Sequence, residues 1–353
     1  MDLFTPVELG ALQLRNRIVM APMTRSRADA NAVPTRIMVD YYRQRAGAGL
    51  IVTEGIAPSA DGLGYCRTPG LFNRQQIDAW RQVTDAVHAQ GGSIAAQLMH
   101  VGRIANALNK PRGSRTVAPS AIRARGEMYT DQAGMQPFDD PAELTVQEIG
   151  QVVEQYRQAT ENAYLAGFDA VELHCTSGYL PAQFLATGSN RRHDEYGGSI
   201  THRARFVLEV LRAMCGVDGA GRVAMRVCPD NPFNDLRDEQ PGQTFDYLLE
   251  KAGLMDLAYL HVIRLPNGSV NNIALAQRYF SDRLIGNDSY DFEEASRAVI
   301  EGELSAVSFA RHFIGNPDLV ERWRSGKALS DFERATLYSA GAEGYTSYPS
   351  ADA

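Results

Sequence analysis

Short apolar runs rich in β-branched residues recur along the chain and alternate with longer amphipathic segments. Eight such runs occur, at 18–23, 50–55, 93–100, 170–175, 222–229, 257–263, 283–287 and 306–311. Between them, apolar residues spaced three and four positions apart predict helices at 74–90, 145–166, 202–215, 244–252 and 291–301. Continuous apolar strands alternating with helices are typical of a parallel sheet, and eight βα units close a (β/α)8 TIM barrel.

Two segments depart from this alternation. The first seventeen residues predict a short hairpin around Glu8 and Gly10, suited to closing the bottom of the barrel. Residues 101–141, after the third strand, are rich in Arg, Gly, Pro and Ser and are far longer than an ordinary βα loop. We therefore expect a single TIM-barrel domain over 1–353, with 101–141 as a lid or capping insertion.

The amino-acid composition limits the kinds of partner and the cellular location that we expect for the protein. The net charge of −7 argues against nucleic acid or an anionic membrane as a partner, because both require a basic face. The four cysteines show no metal-binding spacing, the first residues do not have the pattern of a signal peptide, and no long apolar run occurs. The sequence predicts a cytoplasmic protein with reduced thiols that acts on a small molecule.

Polar residues follow or end the predicted strands, where a TIM barrel places its active site. They are Thr24, Glu54, Gly55, Gln97, His100, His174, Arg226, His261, Asn287, Asp288 and Arg311. This set shows no close carboxylate–histidine pairs for a metal, no strained nucleophile motif and no lysine for an imine. A bound organic cofactor is therefore expected to carry the difficult chemistry, and no metal is expected.

Three of these residues favour one type of cofactor. Arg226 and Arg311 stand at the ends of late strands, where barrels commonly bind phosphate, although either could instead form a structural ion pair. Gln97 offers a donor and an acceptor to the edge of a pyrimidine-like ring. Flavin mononucleotide (FMN) has both such a ring and a phosphate.

Motifs spread over the whole chain resemble the old yellow enzymes, the FMN-dependent NAD(P)H ene-reductases. The matching motifs are RNRIVMAPMTR at 15–25, VTEG at 52–55, AQLMHVGR at 96–103, GFDAVELH at 167–174, GSN at 188–190, DEYGGS at 194–199, NPDL at 316–319 and GY at 344–345. Agreement at this many motifs, in the family's order along the chain, makes the resemblance specific to this family. The resemblance implies an oxidoreductase that reduces alkenes activated by a carbonyl or similar group.

The resemblance also implies a role for particular residues. Those implied to bind FMN are Pro22, Met23, Thr24, Gly55, Gln97, Arg226, Ala310 and Arg311. His174 and Ser177 correspond to the pair that binds the substrate carbonyl oxygen, Tyr179 to the proton donor, and Tyr345 to an aromatic wall of the pocket. NADPH or NADH would reduce the flavin, which would pass hydride to the β-carbon while Tyr179 protonates the α-carbon.

Two features of the chain depart from the family pattern. The substrate-binding pair is usually His-x-x-Asn or His-x-x-His, whereas here Ser177 supplies a shorter side chain with a single O–H. Near the phosphate, Asp288 and Ala310 stand where small residues and Gly-Arg are usual. A carboxylate there would repel the phosphate unless it points outward and Arg283 or His312 compensates.

These departures leave alternatives open. One is an isomerase or desaturase acting on a biosynthetic intermediate. Another is a non-catalytic barrel whose phosphate site has decayed. The sequence does not specify the alkene, the choice between NADPH and NADH, or whether the protein is a monomer or a homodimer.

Overall fold

Eight parallel strands close into a barrel in the computed structural model, which describes residues 2–351. In chain order the strands are β1 (Val7–Leu9), β2 (Leu12–Leu14), β3 (Ile18–Met20), β4 (Leu50–Val52), β5 (Ile94–Leu98), β6 (Val117–Ala118), β7 (Glu127–Thr130), β8 (Gly134–Pro137), β9 (Ala142–Glu143), β10 (Ala170–Cys175), β11 (Val223–Val227), β12 (Tyr259–Ile263), β13 (Leu284–Asn287) and β14 (Ala306–Phe309). Strands β3, β4, β5 and β10 to β14 form the barrel in that circular order. The predicted TIM barrel and all eight of its strands are confirmed.

Helices surround the barrel. They are α1 (Arg36–Gln44), α2 (Arg74–His88), α3 (Val146–Leu165), α4 (Leu180–Leu185), α5 (Ile200–Asp218), α6 (Pro241–Gly253), α7 (Asn272–Phe280), α8 (Phe292–Ile300), α9 (Arg311–Gly315) and α10 (Leu319–Arg324). The five predicted helices correspond to α2, α3, α5, α6 and α8. Helix α3 begins at a capping box in which the Thr145 side chain and Glu148 satisfy each other's backbone N–H groups.

The predicted N-terminal hairpin is present as the antiparallel pair β1 and β2. Gly10 turns it with φ of +59°, and a Cβ at this position would lie 2.6 Å from the carbonyl oxygen of Gly221. Only glycine fits both this backbone conformation and this close approach. The leucines of the hairpin pack with Ala95, Ala170 and other inward-facing barrel residues, so the hairpin closes the bottom of the barrel.

The barrel interior changes from apolar to polar along its axis. Side chains alternate inward and outward along each strand, so Ala170, Glu172 and His174 share the inner side of β10. Ala170 belongs to the apolar layer above the hairpin. The carboxyl ends of the strands therefore gather the polar side chains, as the list of strand-end residues predicted.

Residues 101–141 contain the antiparallel hairpin β7 and β8. Apolar side chains of this segment, including Ile104, Met128 and Phe138, form one buried cluster with Tyr179. The insertion therefore lies against the carboxyl end of the barrel, and its action as a lid stays a prediction. Within residues 2–351, no helix is long and apolar enough to cross a membrane.

Candidate active site

Three polar side chains stand side by side at the carboxyl end of the barrel. The strand register pairs His174 of β10 with Arg226 of β11, and Arg226 with His261 of β12. Two residues earlier, Glu172 lies opposite Gln97 of β5. Parallel pairing brings residues from distant parts of the sequence together, and a hydrogen bond between Glu172 and His261 links the two rows, so these five side chains form one polar layer.

Glu172 organises this layer. Its carboxylate is fully buried and accepts hydrogen bonds from Gln97 Nε2 at 2.8 Å and from His261 Nδ1 at 2.9 Å. Burial by itself would raise the pKa of Glu172, but His261, Arg226 and Gln97 hold it below its usual value. Burial lowers the pKa of His261, so its neutral ring donates through Nδ1 and accepts from Ser308 Oγ through Nε2, at 2.7 Å.

Two buried polar atoms of this layer have no partner in the described part of the chain. His174 Nδ1 and Arg226 Nε are both buried without a hydrogen bond, although Arg226 also donates to Asn287 Oδ1. Burial and the nearby Arg226 charge lower the pKa of His174 to about 3, so its ring is neutral. Buried donors left without partners are costly, and they identify a surface prepared for a polar ligand.

The residues after β3 and β4 border the same layer. Pro22, Met23 and Thr24 are partly exposed, and the Thr24 hydroxyl makes no hydrogen bond within residues 2–351. Gly55 is buried, and a Cβ there would lie 2.6 Å from the end of the Met99 side chain. A smooth backbone surface next to a free hydroxyl suits the flat ring system expected from the sequence.

Ser177 has an unusual backbone conformation. Its φ is +58°, in the left-handed region, and the following Gly178 has φ of +78°. This turn carries the chain from the end of β10 into α4, and it brings the rings of His174 and Tyr179 to a centroid distance of 5.0 Å. The Ser177 side chain is half-buried and lies on the turn between these two rings.

Tyr179 meets a second phenol that the sequence reading did not identify. Its hydroxyl donates a hydrogen bond of 3.1 Å to the hydroxyl of Tyr65. Burial, together with the neighbouring Tyr65, raises the pKa of Tyr179 well above its usual value. The phenol therefore keeps its proton at neutral pH, as a proton donor must.

At the predicted phosphate end of the barrel, Asp288 and Arg311 are both exposed. Arg311 begins α9 with an exposed side chain, directly after Ala310. The Asp288 side chain is exposed, so the carboxylate does point outward. Asp288 and Ser289 have φ of +79° and +57°, and Arg264 donates to both of their carbonyl oxygens.

Neither of the two residues that could compensate for Asp288 supplies a free positive charge there. Arg283 precedes β13, at the opposite end of the barrel, and pairs with Asp256 at 2.7 Å. His312 packs against Trp323 with ring centroids 5.7 Å apart, and burial lowers its pKa, so it is neutral. Of the three basic residues Arg283, His312 and Arg311, Arg311 therefore offers the exposed positive charge for a phosphate at this end.

Tyr345 does not form the open pocket wall that the family resemblance implied. Its ring has no exposed surface and is stacked on Tyr41 at 4.0 Å, with the Arg27 guanidinium 4.7 Å from its centroid. Arg25 also donates to the Gly344 carbonyl at 2.8 Å. In this structure Tyr345 anchors the C-terminal segment, and a role in contacting substrate stays a prediction.

The sequence reading missed the role of Glu172 and the presence of Tyr65. Glu172 was detectable, because it stands two residues before His174 and so faces the same side of a β-strand. Tyr65 belongs to an irregular loop and offered no such signal. Within residues 2–351, no three His, Cys, Asp or Glu side chains converge in a way that would hold a metal ion.

Comparisons with known proteins agree on one family. Residues 2–330 match the NADH:flavin oxidoreductase / NADH oxidase family. The chain is 40% identical to a probable flavin mononucleotide-dependent alkene reductase of Leishmania infantum, over 98% of this chain and 96% of that protein. It is 38% identical to 12-oxophytodienoate reductase 7 of Oryza sativa subsp. japonica, over 98% of this chain and 94% of that protein.

Solved structures agree as well. Morphinone reductase in complex with tetrahydroNAD superposes with a TM-score of 0.94 at 43% identity, over 99% of this chain and 97% of that one. An old yellow enzyme homologue from Zymomonas mobilis superposes with a TM-score of 0.94 at 37% identity, over 99% of both chains. The chain belongs to the NADH:flavin oxidoreductase family.

Membership of the NADH:flavin oxidoreductase family confirms the enzyme class expected from the sequence, an FMN-dependent NAD(P)H oxidoreductase of the ene-reductase type. The side chains present also fit this cofactor. Arg226 Nε is buried without a partner, and Gln97 is held by Glu172 through its amide nitrogen, which leaves its carbonyl oxygen to accept from a ring N–H. Thr24 adds a hydroxyl and Arg311 an exposed cation.

Proposed function

We propose that this protein reduces carbon–carbon double bonds conjugated to a carbonyl or similar electron-withdrawing group, with bound FMN and with NADPH or NADH as the reductant. When bound, FMN supplies the hydride chemistry, taking hydride from the nicotinamide and passing it to the substrate's β-carbon. The protein's own residues must then bind the cofactor, polarise the substrate and provide a proton.

Residues in and around the polar layer would bind FMN. Thr24, Gln97 and Arg226 would hydrogen-bond the ring system, and Arg311, with the backbone at Ala310, would bind the phosphate. Pro22, Met23 and Gly55 would line the ring through backbone and apolar contacts. These assignments rest on the free donors and acceptors described above and on the family resemblance.

His174 and Ser177 would bind the substrate's carbonyl oxygen. Because burial keeps the His174 ring neutral, it contributes one N–H donor rather than a full positive charge. Ser177 contributes a single short O–H from a strained turn. Donors aimed at an oxygen that gains negative charge commonly stabilise the transition state by roughly 3 kcal/mol each, so two donors of this kind make the β-carbon accept hydride.

Tyr179 would protonate the α-carbon. Its phenol carries a proton at neutral pH, and its ring lies 5.0 Å from that of His174, close enough for one small substrate to contact both. This neighbouring pair of carbonyl-binding imidazole and protonated phenol is the observation that carries the proposal. Tyr65 can turn its own hydroxyl toward the phenolate left on Tyr179.

The finer expectations about the protein's surroundings remain proposals. We infer a cytoplasmic enzyme that acts on small molecules and has no nucleic-acid or membrane partner. The sequence supports this with its acidic net charge and its lack of a basic tract. Light scattering of the purified protein would distinguish a monomer from a homodimer.

A spectroscopic experiment tests the proposed function. Purified protein should show flavin absorbance bands, lose them when NADPH is added without oxygen, and recover them when a simple enone such as 2-cyclohexenone is added. A saturated ketone, cyclohexanone, is the matched control and should restore nothing. A colourless protein that takes up no added FMN would contradict the proposal and favour a non-catalytic barrel.

A further inference from the structure

The loop between β11 and α6 lies against the turn that carries Ser177 and Tyr179. Asn234, in this loop, donates from Nδ2 to the carbonyl oxygen of Ser177 at 2.8 Å. The contact is tight, because a Cβ on Gly178 would lie 2.6 Å from Asn234 Cβ. Asn234 thus supports the turn at the point where the backbone is left-handed.

The same amide reaches the two phenols of the site. The Asn234 side chain also lies close enough to both phenols to lower the pKa of Tyr65 and of Tyr179. Burial is the larger influence and raises the pKa of both phenols, whereas these contacts act in the opposite direction and favour the phenolate. An N–H donor placed at a phenol oxygen has this effect because it stabilises the charged form.

Asn234 and the residue after it are held in the left-handed conformation, which residues other than glycine adopt only occasionally. Asn234 and Asp235 both have φ of +57°. Asp235 is tied to the insertion at 101–141, where Arg125 donates to its carboxylate from Nε at 2.9 Å and from a terminal nitrogen at 2.6 Å. The buried Arg103 donates to the Asp235 carbonyl at 2.8 Å. Strain of this kind persists only where the surroundings over-determine it.

We propose that Asn234 is a positioning residue for proton transfer, holding the Ser177 turn and the Tyr65–Tyr179 pair so that the Tyr179 hydroxyl faces the substrate. This inference rests on the proposed function, since it assigns Asn234 to the protonation step of the same reaction. The ion pair of Asp235 with Arg125 fixes the position of Asn234 from the side of the insertion.

The chemistry of the step explains why a donor is needed there. As the substrate's β-carbon gains hydride, the electron pair of the resulting enolate forms a C–H bond at the α-carbon. The O–H bond of Tyr179 breaks, and its electron pair remains on the phenolate oxygen. In a buried site this charge needs hydrogen-bond donors, and those at hand are the Tyr65 hydroxyl and the Asn234 amide.

Two substitutions at Asn234 distinguish the effect of its side-chain amide from the effect of its left-handed backbone. Asn234→Gly adopts the left-handed conformation without strain and lacks the amide, and Asn234→Asp keeps the shape of the side chain but loses the N–H donor. Asn231→Ala is the matched control, because Asn231 lies in the same loop and donates to Thr176 Oγ1 at 3.3 Å instead of to the phenols. All three are compared as FMN-loaded enzyme.

The measurements are the two half-reactions in a stopped-flow spectrometer, flavin reduction by NADPH and flavin reoxidation by 2-cyclohexenone, in H₂O and D₂O. We expect both Asn234 variants to slow reoxidation about tenfold, the effect of one lost hydrogen bond, with a larger solvent isotope effect and unchanged flavin reduction. Asn231→Ala should match the wild type. Either Asn234 variant alone is sufficient if the other fails to fold.

Three outcomes would overturn the inference: unchanged reoxidation in a folded Asn234 variant, equal slowing of both half-reactions, or the same slowing in Asn231→Ala. Each of them presupposes a wild-type enzyme that reacts with the enone. If the wild type itself is not reoxidised, the proposed function fails, and this result is distinguishable from a failure of the role of Asn234.

Discussion

The Tyr179 hydroxyl donates a hydrogen bond of 3.1 Å to the Tyr65 hydroxyl, and the two rings meet edge to face with centroids 6.2 Å apart. Burial raises the pKa of both phenols, so both are protonated in the resting protein. The Tyr179 proton therefore already has an acceptor before substrate arrives. Substrate must redirect this O–H toward its α-carbon, and Tyr65 must reverse its role from acceptor to donor.

This relationship predicts different effects for the two phenols. Tyr179→Phe should slow flavin reoxidation by an enone about 100-fold, as expected for the loss of a general acid. Tyr65→Phe should slow it only about tenfold, because it removes one stabilising hydrogen bond. Flavin reduction by NADPH should be unchanged in both, as measured by stopped-flow absorbance. Equal slowing of flavin reduction and flavin reoxidation in Tyr179→Phe would contradict the assignment of Tyr179 as the proton donor.

Ser177→Asn should improve both stability and turnover of simple enones. Asparagine tolerates the left-handed backbone at this position better than serine, so we expect a gain of roughly 0.5–1 kcal/mol in the free energy of unfolding. Its longer amide also gives a second donor to the substrate's oxygen. Urea unfolding and steady-state kinetics with 2-cyclohexenone measure the two effects.

Ser177→Gly is the control for this prediction. Glycine relieves the strained φ but offers no donor, so it should not raise kcat/KM for the enone. An equal rise in kcat/KM for the glycine and asparagine variants would show that the length of the donor is irrelevant.

Asp288→Gly should tighten FMN binding. The Asp288 carboxylate is exposed at the phosphate end of the barrel, and its φ of +79° suits glycine. Removing one charge from the neighbourhood of a dianion should lower the Kd by about fivefold, or about 1 kcal/mol in a partly solvated site. Fluorescence titration of apoprotein with FMN measures this Kd at two salt concentrations.

Ser289→Gly is the control variant. Ser289 has φ of +57°, so this substitution tests the backbone contribution without a change of charge, and an equal effect there would exclude the electrostatic cause.

Glu54 should make stability depend on pH. It is buried, Tyr42 donates to it at 3.2 Å, and burial raises its pKa to about 7 from 4.5. A carboxyl group whose pKa is raised by folding stabilises the protein below pH 4.5, and this contribution is lost as the pH rises to 7. The loss amounts to roughly 3 kcal/mol.

Glu54→Gln isolates that contribution, because the amide cannot ionise. The difference in the free energy of unfolding between wild type and variant should fall by roughly 3 kcal/mol between pH 4.5 and 7.5, with the wild type losing stability. Urea unfolding of the FMN-loaded proteins at several pH values measures it. A difference that is independent of pH would mean that Glu54 is ionised throughout.

Much of the fold was predictable from local pattern. The eight barrel strands are continuous apolar runs, because strands covered by helices on the outside and packed inside exclude water on both faces. Helix α1 was not predicted, because its nine residues include Val39, Tyr41 and Tyr42, which have little preference for helix. Packing of these buried side chains, rather than intrinsic preference, makes this segment helical.

The candidate site was predictable only in part. His174, Arg226 and Gln97 were identified because they end apolar strands, and the barrel places all such ends at one face. Tyr65 and Asn234 stand in irregular loops, where no periodicity reveals which side chains meet. Tyr345 matched a family motif, yet its ring is stacked on Tyr41 away from solvent. A motif identifies a residue but does not report which way its side chain faces.

The sequence by itself determined the barrel, the FMN-dependent enzyme class and the row of polar strand ends. Strand periodicity and motif spacing can be read directly from the order of residues along the chain. Only the tertiary structure decided that Glu172 holds Gln97 and His261, that Tyr179 donates a hydrogen bond to Tyr65, and that Asn234 supports the turn at Ser177. Hydrogen bonds act over about 3 Å. Which donors and acceptors come that close depends on strand register and loop conformation, which the folded chain alone establishes.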